Sequence, residues 1–87
     1  MLPDGFQWAN RHQYDTQETA LVYRRKQVAV LLERLDGSWM ARLECHWPIT
    51  EPLVTRACSS LEAGRAGVEE WARRHAARLR AEVARAG

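Results

Sequence analysis

The sequence predicts an α+β domain, a three- or four-stranded antiparallel meander with one long C-terminal helix packed on one face. Three observations carry this. An Asp36-Gly37 pair separates two β-rich runs, Gln27 to Leu35 and Ser38 to Trp47. Apolar residues of the two runs gather on one face when that pair is a two-residue turn. Beyond Ser59 the apolar period changes from two residues to three and four.

Residues 1–18 read as an irregular N-terminal arm, punctuated by Pro3, Asp4-Gly5 and Asn10 and carrying Phe6, Trp8 and Tyr14 as aromatic anchors. Residues 19–58 read as the sheet. Thr19 to Arg24 is β-rich, and Arg24 to Gln27 makes a polar turn into the next strand. Taking Asp36-Gly37 as a two-residue turn places Leu35 opposite Ser38. That register puts Val28, Val30, Leu32, Trp39, Ala41, Leu43 and Cys45 on the core face, and Gln27, Ala29, Leu31, Glu33, Met40, Arg42, Glu44 and His46 on the outer face. Pro48 and Pro52 bracket a loop, and Leu53 to Cys58 follows as a fourth strand.

Residues 59–86 read as the helix, with Ser59 as N-cap and Glu62 reaching back to it in a capping box. Leu61, Gly64, Val68, Trp71, Ala72, His75, Leu79 and Val83 form one apolar stripe that closes over the sheet. Gly64 and Gly67 each cost roughly 1 kcal/mol against Ala inside a helix, and they read as close-packing positions over the sheet, with a local break in the first turns as the competing reading. Trp39, Trp47 and Trp71 belong to the core in this reading, while Trp8 has no place in it.

The 87 residues allow one domain and one core. Apolar residues at 46% and charged residues at 28% describe a globular chain. The longest uncharged apolar run, Val28 to Leu32, is too short to cross a bilayer, and the first twenty residues lack a basic region followed by an apolar one. A cytoplasmic protein with free thiols at Cys45 and Cys58 is therefore expected. Twelve of the 13 basic residues are Arg and Ala is the commonest residue, the mark of a GC-rich and hence bacterial coding sequence. A net charge of +2 is too slight to point to a polyanionic partner.

Cys45, His46, Cys58 and His75 are residue types that zinc uses, but their spacing lacks close ligand pairs, and neighbours in a strand leave on opposite faces. No metal and no cofactor is expected. Cys58 at a helix start has a stabilised thiolate, yet His75 lies about four turns away along the helix and cannot serve it as a base. Cys45 and His75 would share the dry core, a poor place for reaction. A non-catalytic protein is the reading.

Two interaction surfaces remain. Trp8 with the half-apolar outer face, represented by Leu31, Met40 and Arg42, suggests a surface that another protein chain covers, self-association into a homodimer being the simplest form. The alternative is nucleic-acid binding by Arg73, Arg74, Arg78 and Arg80 of the helix. Glu69 to Arg73, Glu70 to Arg74 and Arg78 to Glu82 are i,i+4 pairs that favour a self-paired, solvated face instead. A sheet followed by a helix resembles double-stranded RNA-binding and antitoxin-like small domains in outline, but the chain carries signature residues of neither, so outline alone assigns nothing.

Overall fold

The computed structural model describes residues 2–12, 14 and 17–86, the side chain of Ala86 excepted. Five strands, β1 (Phe6–Ala9), β2 (Ala20–Tyr23), β3 (Lys26–Glu33), β4 (Trp39–Leu43) and β5 (Val54–Cys58), form one open antiparallel sheet in chain order. The helix α1 (Leu61–Ala86) lies across one face. The α+β class and the meander are as expected, with five strands rather than three or four.

The additional strand comes from the arm. Phe6 pairs with Tyr23 and Trp8 with Leu21, so the two rings enter the helix-facing layer. Phe6 stacks on Tyr23 with centroids 4.8 Å apart. Tyr14, expected as an anchor, is 87% exposed. Residues 1, 13, 15 and 16 of the expected arm lie outside the described residues.

The β3–β4 register differs by one residue from the two-residue turn. Arg34 N donates to Ser38 O at 2.7 Å and Gly37 N to Arg34 O at 2.9 Å, so the loop is Leu35-Asp36-Gly37. Gly37 supplies the left-handed residue (φ 87°) of a three-residue hairpin. Asp36 Oδ1 accepts from Ser38 N and Oγ, at 3.0 and 2.6 Å. Leu31 therefore faces Ala41 and Ala29 faces Leu43. The consequence is a reversal of β3: Ala29 and Leu31, expected outside, are core residues, while Val30 and Leu32 turn outward with Met40 and Arg42. The faces of β4 are as expected, because only one partner of the pair slipped.

Between β2 and β3 the ladder shifts at Leu21/Val22, leaving Val28 without a partner on β2. At this bulge Val28 is fully buried in the core. The β2–β3 turn is Arg24-Arg25, both left-handed (φ 51° and 67°) although neither is Gly or Asn.

The helix starts one residue later than its expected cap. Ala63 N donates to Ser60 Oγ at 3.1 Å, making Ser60 the N-cap and leaving Glu62 one position short of a capping box. The expected stripe is buried at Gly64, Val68, Trp71, Ala72, Leu79 and Val83. His75 is the exception: its backbone is non-helical (φ −117°, ψ 16°), it kinks the helix, and its side chain is exposed. Gly64 fits the close-packing reading, since a Cβ there would meet Leu31 Cδ2 at 2.9 Å and Cys58 Sγ at 3.2 Å.

Candidate functional site

Beyond Leu43 the strand alternation breaks. Glu44 adopts a left-handed backbone (φ 59°), which turns it and His46 toward the C-terminal half of α1. There Arg78 Nη2 donates to Glu44 Oε2 at 2.7 Å, and Nη1 donates to Glu44 Oε1 at 3.1 Å and to Glu82 Oε1 at 2.9 Å. Glu82 Oε1 also accepts from His46 Nε2 at 2.7 Å and from Trp47 Nε1 at 3.1 Å. His46 is 7% exposed, and its Nδ1 is buried with no hydrogen-bond partner among the described residues. Burial pushes the Glu82 carboxyl up, but the hydrogen bonds from His46, Trp47 and Arg78 outweigh it and hold it down at about 2.

Glu44, His46 and Glu82 place one ligand atom each within 4.8 Å of one another, the geometry of a three-ligand cation site. The Arg78 guanidinium already bridges both carboxylates, and a metal ion would have to displace it. The chemistry of the cluster is that of a clamp pinning helix to sheet. Of the four residues that suggested zinc, only His46 belongs to it. Cys45 and His46 do leave on opposite faces, with Cys45 on the outer side beside Val30 and Leu32. Its expected place on the core face is thus corrected. Desolvation pushes the Cys45 thiol up, and Sγ donates to Arg42 O at 3.3 Å. With His75 exposed, the expected sharing of one core by Cys45 and His75 does not occur.

The outer face is the second candidate. Arg42 and Met40 lie on it as expected. Leu31 does not, being 1% exposed in the core, and Trp8 faces the helix, where Nε1 donates to Glu69 Oε2 at 2.8 Å. Trp47, expected in the core, lies half-buried against Glu82 instead. A shallow groove of about 420 Å³ crosses the outer face, bordered by Arg11, Gln27, Val30, Leu32 and Arg42.

The arginines of the alternative surface are engaged within the chain. Arg73 and Arg74 meet Glu70 at 2.6 and 3.0 Å, and they hold its carboxyl below the usual range. Arg78 belongs to the clamp, and Arg80 donates to Asp4 O at 2.8 Å while covering the Phe6 ring. Among the described residues no helix is long and apolar enough to cross a membrane.

The sequence signal for the outer face was present in the apolar run of β3; of the clamp only the Arg78–Glu82 pair was legible, since 34 to 36 residues separate these two from Glu44, His46 and Trp47 and the turn at Glu44 cancels the strand pattern. No protein-family model, curated protein or solved structure matches the chain.

Proposed function

We propose that the chain is a non-catalytic interaction module of bacterial type, working in the cytoplasm and binding another protein through the outer face of its sheet, with self-association as the simplest arrangement. The supporting observation is β3. Val28 to Leu32 is apolar on both sides, the pattern of a strand covered on two faces, whereas α1 covers one. On the other face Val30 is already buried, and Leu32 and Met40 remain half-exposed, rimmed by Gln27, Arg42 and Thr55, an apolar centre within a polar border. A non-catalytic reading is supported by the state of the nucleophiles and bases: the Cys45 thiol is shifted away from its thiolate and His46 Nε2 is committed to Glu82. Nucleic-acid binding by the helix is the weaker alternative, since a phosphate would have to displace the acceptors already held by Arg73, Arg74, Arg78 and Arg80.

Sedimentation velocity of the wild type against Leu32→Glu with Met40→Glu tests the proposal. The wild type should dimerise with rising concentration, and the double variant should stay monomeric with unchanged circular dichroism, because both side chains point away from the helix. A wild type that is monomeric at high micromolar concentration removes self-association. Affinity capture from the host with and without nuclease then separates a protein partner from a nucleic acid.

A further inference from the structure

On the helix face of the sheet, α1 touches β5 at Cys58 beside Gly64 but leaves a cleft of about 250 Å³ between them further along. Buried Ala41, Leu43, Val68 and Trp71 form its floor, and Cys58 and Gly67 its rims. The volume falls below the roughly 300–1,000 Å³ of small-molecule sites, so it suits side chains of a polypeptide. Along its margin runs β5, paired only with β4, its other edge unpaired among the described residues.

Gly67 identifies the cleft as more than loose packing. Gly64, one turn earlier, is explained by Leu31 and Cys58. Gly67 has no such reason: its backbone is helical, and a Cβ there would meet nothing within 4 Å. Glycine inside a helix is unfavourable without a close neighbour, and the described residues of this chain supply none.

Arg56 indicates what kind. It sits at the centre of β5 on the helix side, opposite Ala41, exposed and with no carboxylate partner among the described residues. A two-fold pairing of β5 with a second copy, centred on the strand, would set Arg56 against Arg56, a destabilising like-charge pair. A strand bearing Asp or Glu at that point would gain a partner instead.

We propose that β5 and this cleft dock an extended segment of a partner protein as a sixth strand, its small apolar side chains entering the cleft past Gly67 and a carboxylate meeting Arg56. Main-chain hydrogen bonds to the free edge supply affinity, and the cleft and Arg56 supply selectivity. This surface is distinct from the outer face.

The test is a titration of the isotopically labelled protein, followed by NMR, with two short synthetic peptides, Val-Thr-Glu-Thr-Val (the glutamate peptide) and Val-Thr-Lys-Thr-Val (the lysine peptide), in which the valines and the charged residue share one face of the strand. The glutamate peptide should shift amides of Val54–Cys58 and Gly64–Val68 and bind at least about tenfold tighter than the lysine peptide. Arg56→Glu should reverse that preference. Gly67→Leu should weaken binding at least about tenfold with no fall in thermal midpoint, because the added side chain enters open space. No shift at millimolar peptide, equal affinity for the two peptides, full binding by Gly67→Leu, shifts confined to the outer face, or two copies joined through β5 would each overturn the proposal.

Discussion

The two halves of α1, on either side of the kink at His75, are attached to the sheet by different means. The C-terminal half is held by a polar clamp in which Arg78 and Glu82 take up Glu44, His46 and Trp47, over apolar contacts from Leu79 and Val83. The N-terminal half has Val68, Trp71 and Ala72 in the core, closes on β1 through Glu69 and Trp8, and stays open toward β5. The difference teaches where this small chain places rigidity. Directional hydrogen bonds from several side chains tie the C-terminal end to the sheet, and the end with the cleft relies on apolar burial and the Trp8–Glu69 hydrogen bond.

The largest way to break the comparison is to destroy the layer common to both halves. Leu31 is 1% exposed and packs under Gly64, so Leu31→Glu buries a carboxylate with no partner. Loss of several kcal/mol is expected, comparable with the whole stability of a domain this size. Circular dichroism should show no cooperative thermal unfolding. A variant that melts near the wild type would mean that Leu31 is outside, as the two-residue turn implied.

That correction shows what was legible. The helix was readable because its apolar stripe repeats over seven turns, and seven of its eight members lie in or against the core. Only His75 departs, where the kink changes the phase. The turn was readable as a turn but not in its length: Gly at positive φ satisfies both the two- and three-residue hairpins. Alternation would have chosen between them, yet β3 is apolar on both faces, so either register hides a branched residue. The strand Phe6–Ala9 was missed because four residues are too few to establish a period. The sheet side of the clamp was missed because a positive φ at Glu44, unannounced by Gly or Asn, ends the strand pattern just where the cluster begins.

The clamp end gives the next prediction. Glu82 has a carboxyl held at about 2, below its ordinary 4.5, so the folded state binds its proton more weakly than the unfolded state. The stabilisation is therefore complete above about pH 4.5 and is lost as pH falls toward 2. Allowing for solvent screening of a partly exposed group, it amounts to about 1–3 kcal/mol. Glu82→Gln should lower stability at pH 7 by that amount and flatten the acid limb of a denaturation series between pH 4.5 and 2. An unchanged acid limb would show that the cluster does not hold the helix.

A smaller effect of opposite sign lies in the β2–β3 turn near the same end. Arg24 and Arg25 occupy the left-handed region that the β3–β4 hairpin gives to Gly37. Replacing them by Asn and Gly should relieve strain and add about 1–2 kcal/mol. For a domain of this length that raises the thermal midpoint by several degrees. A lowered midpoint would mean that the Arg24 contact with the Tyr23 ring at 5.5 Å outweighs the strain.

The finest test sets Gly64 against Gly67, two glycines on one helix with different surroundings. In an isolated helix each replacement by Ala gains about 1 kcal/mol. At position 67 the methyl group enters open space, so Gly67→Ala should return most of that gain as stability. At position 64 the same methyl lies 2.9 Å from Leu31 Cδ2 and 3.2 Å from Cys58 Sγ, and Leu31 is itself enclosed. Overpacking of this kind costs about 1–3 kcal/mol, enough to cancel the propensity gain and leave Gly64→Ala neutral or destabilised. Denaturant melts of the two variants should therefore move in different directions or by clearly different amounts. Equal shifts would mean that the helix rests on β5 as evenly as on the rest of the sheet, and the open half of the comparison would disappear.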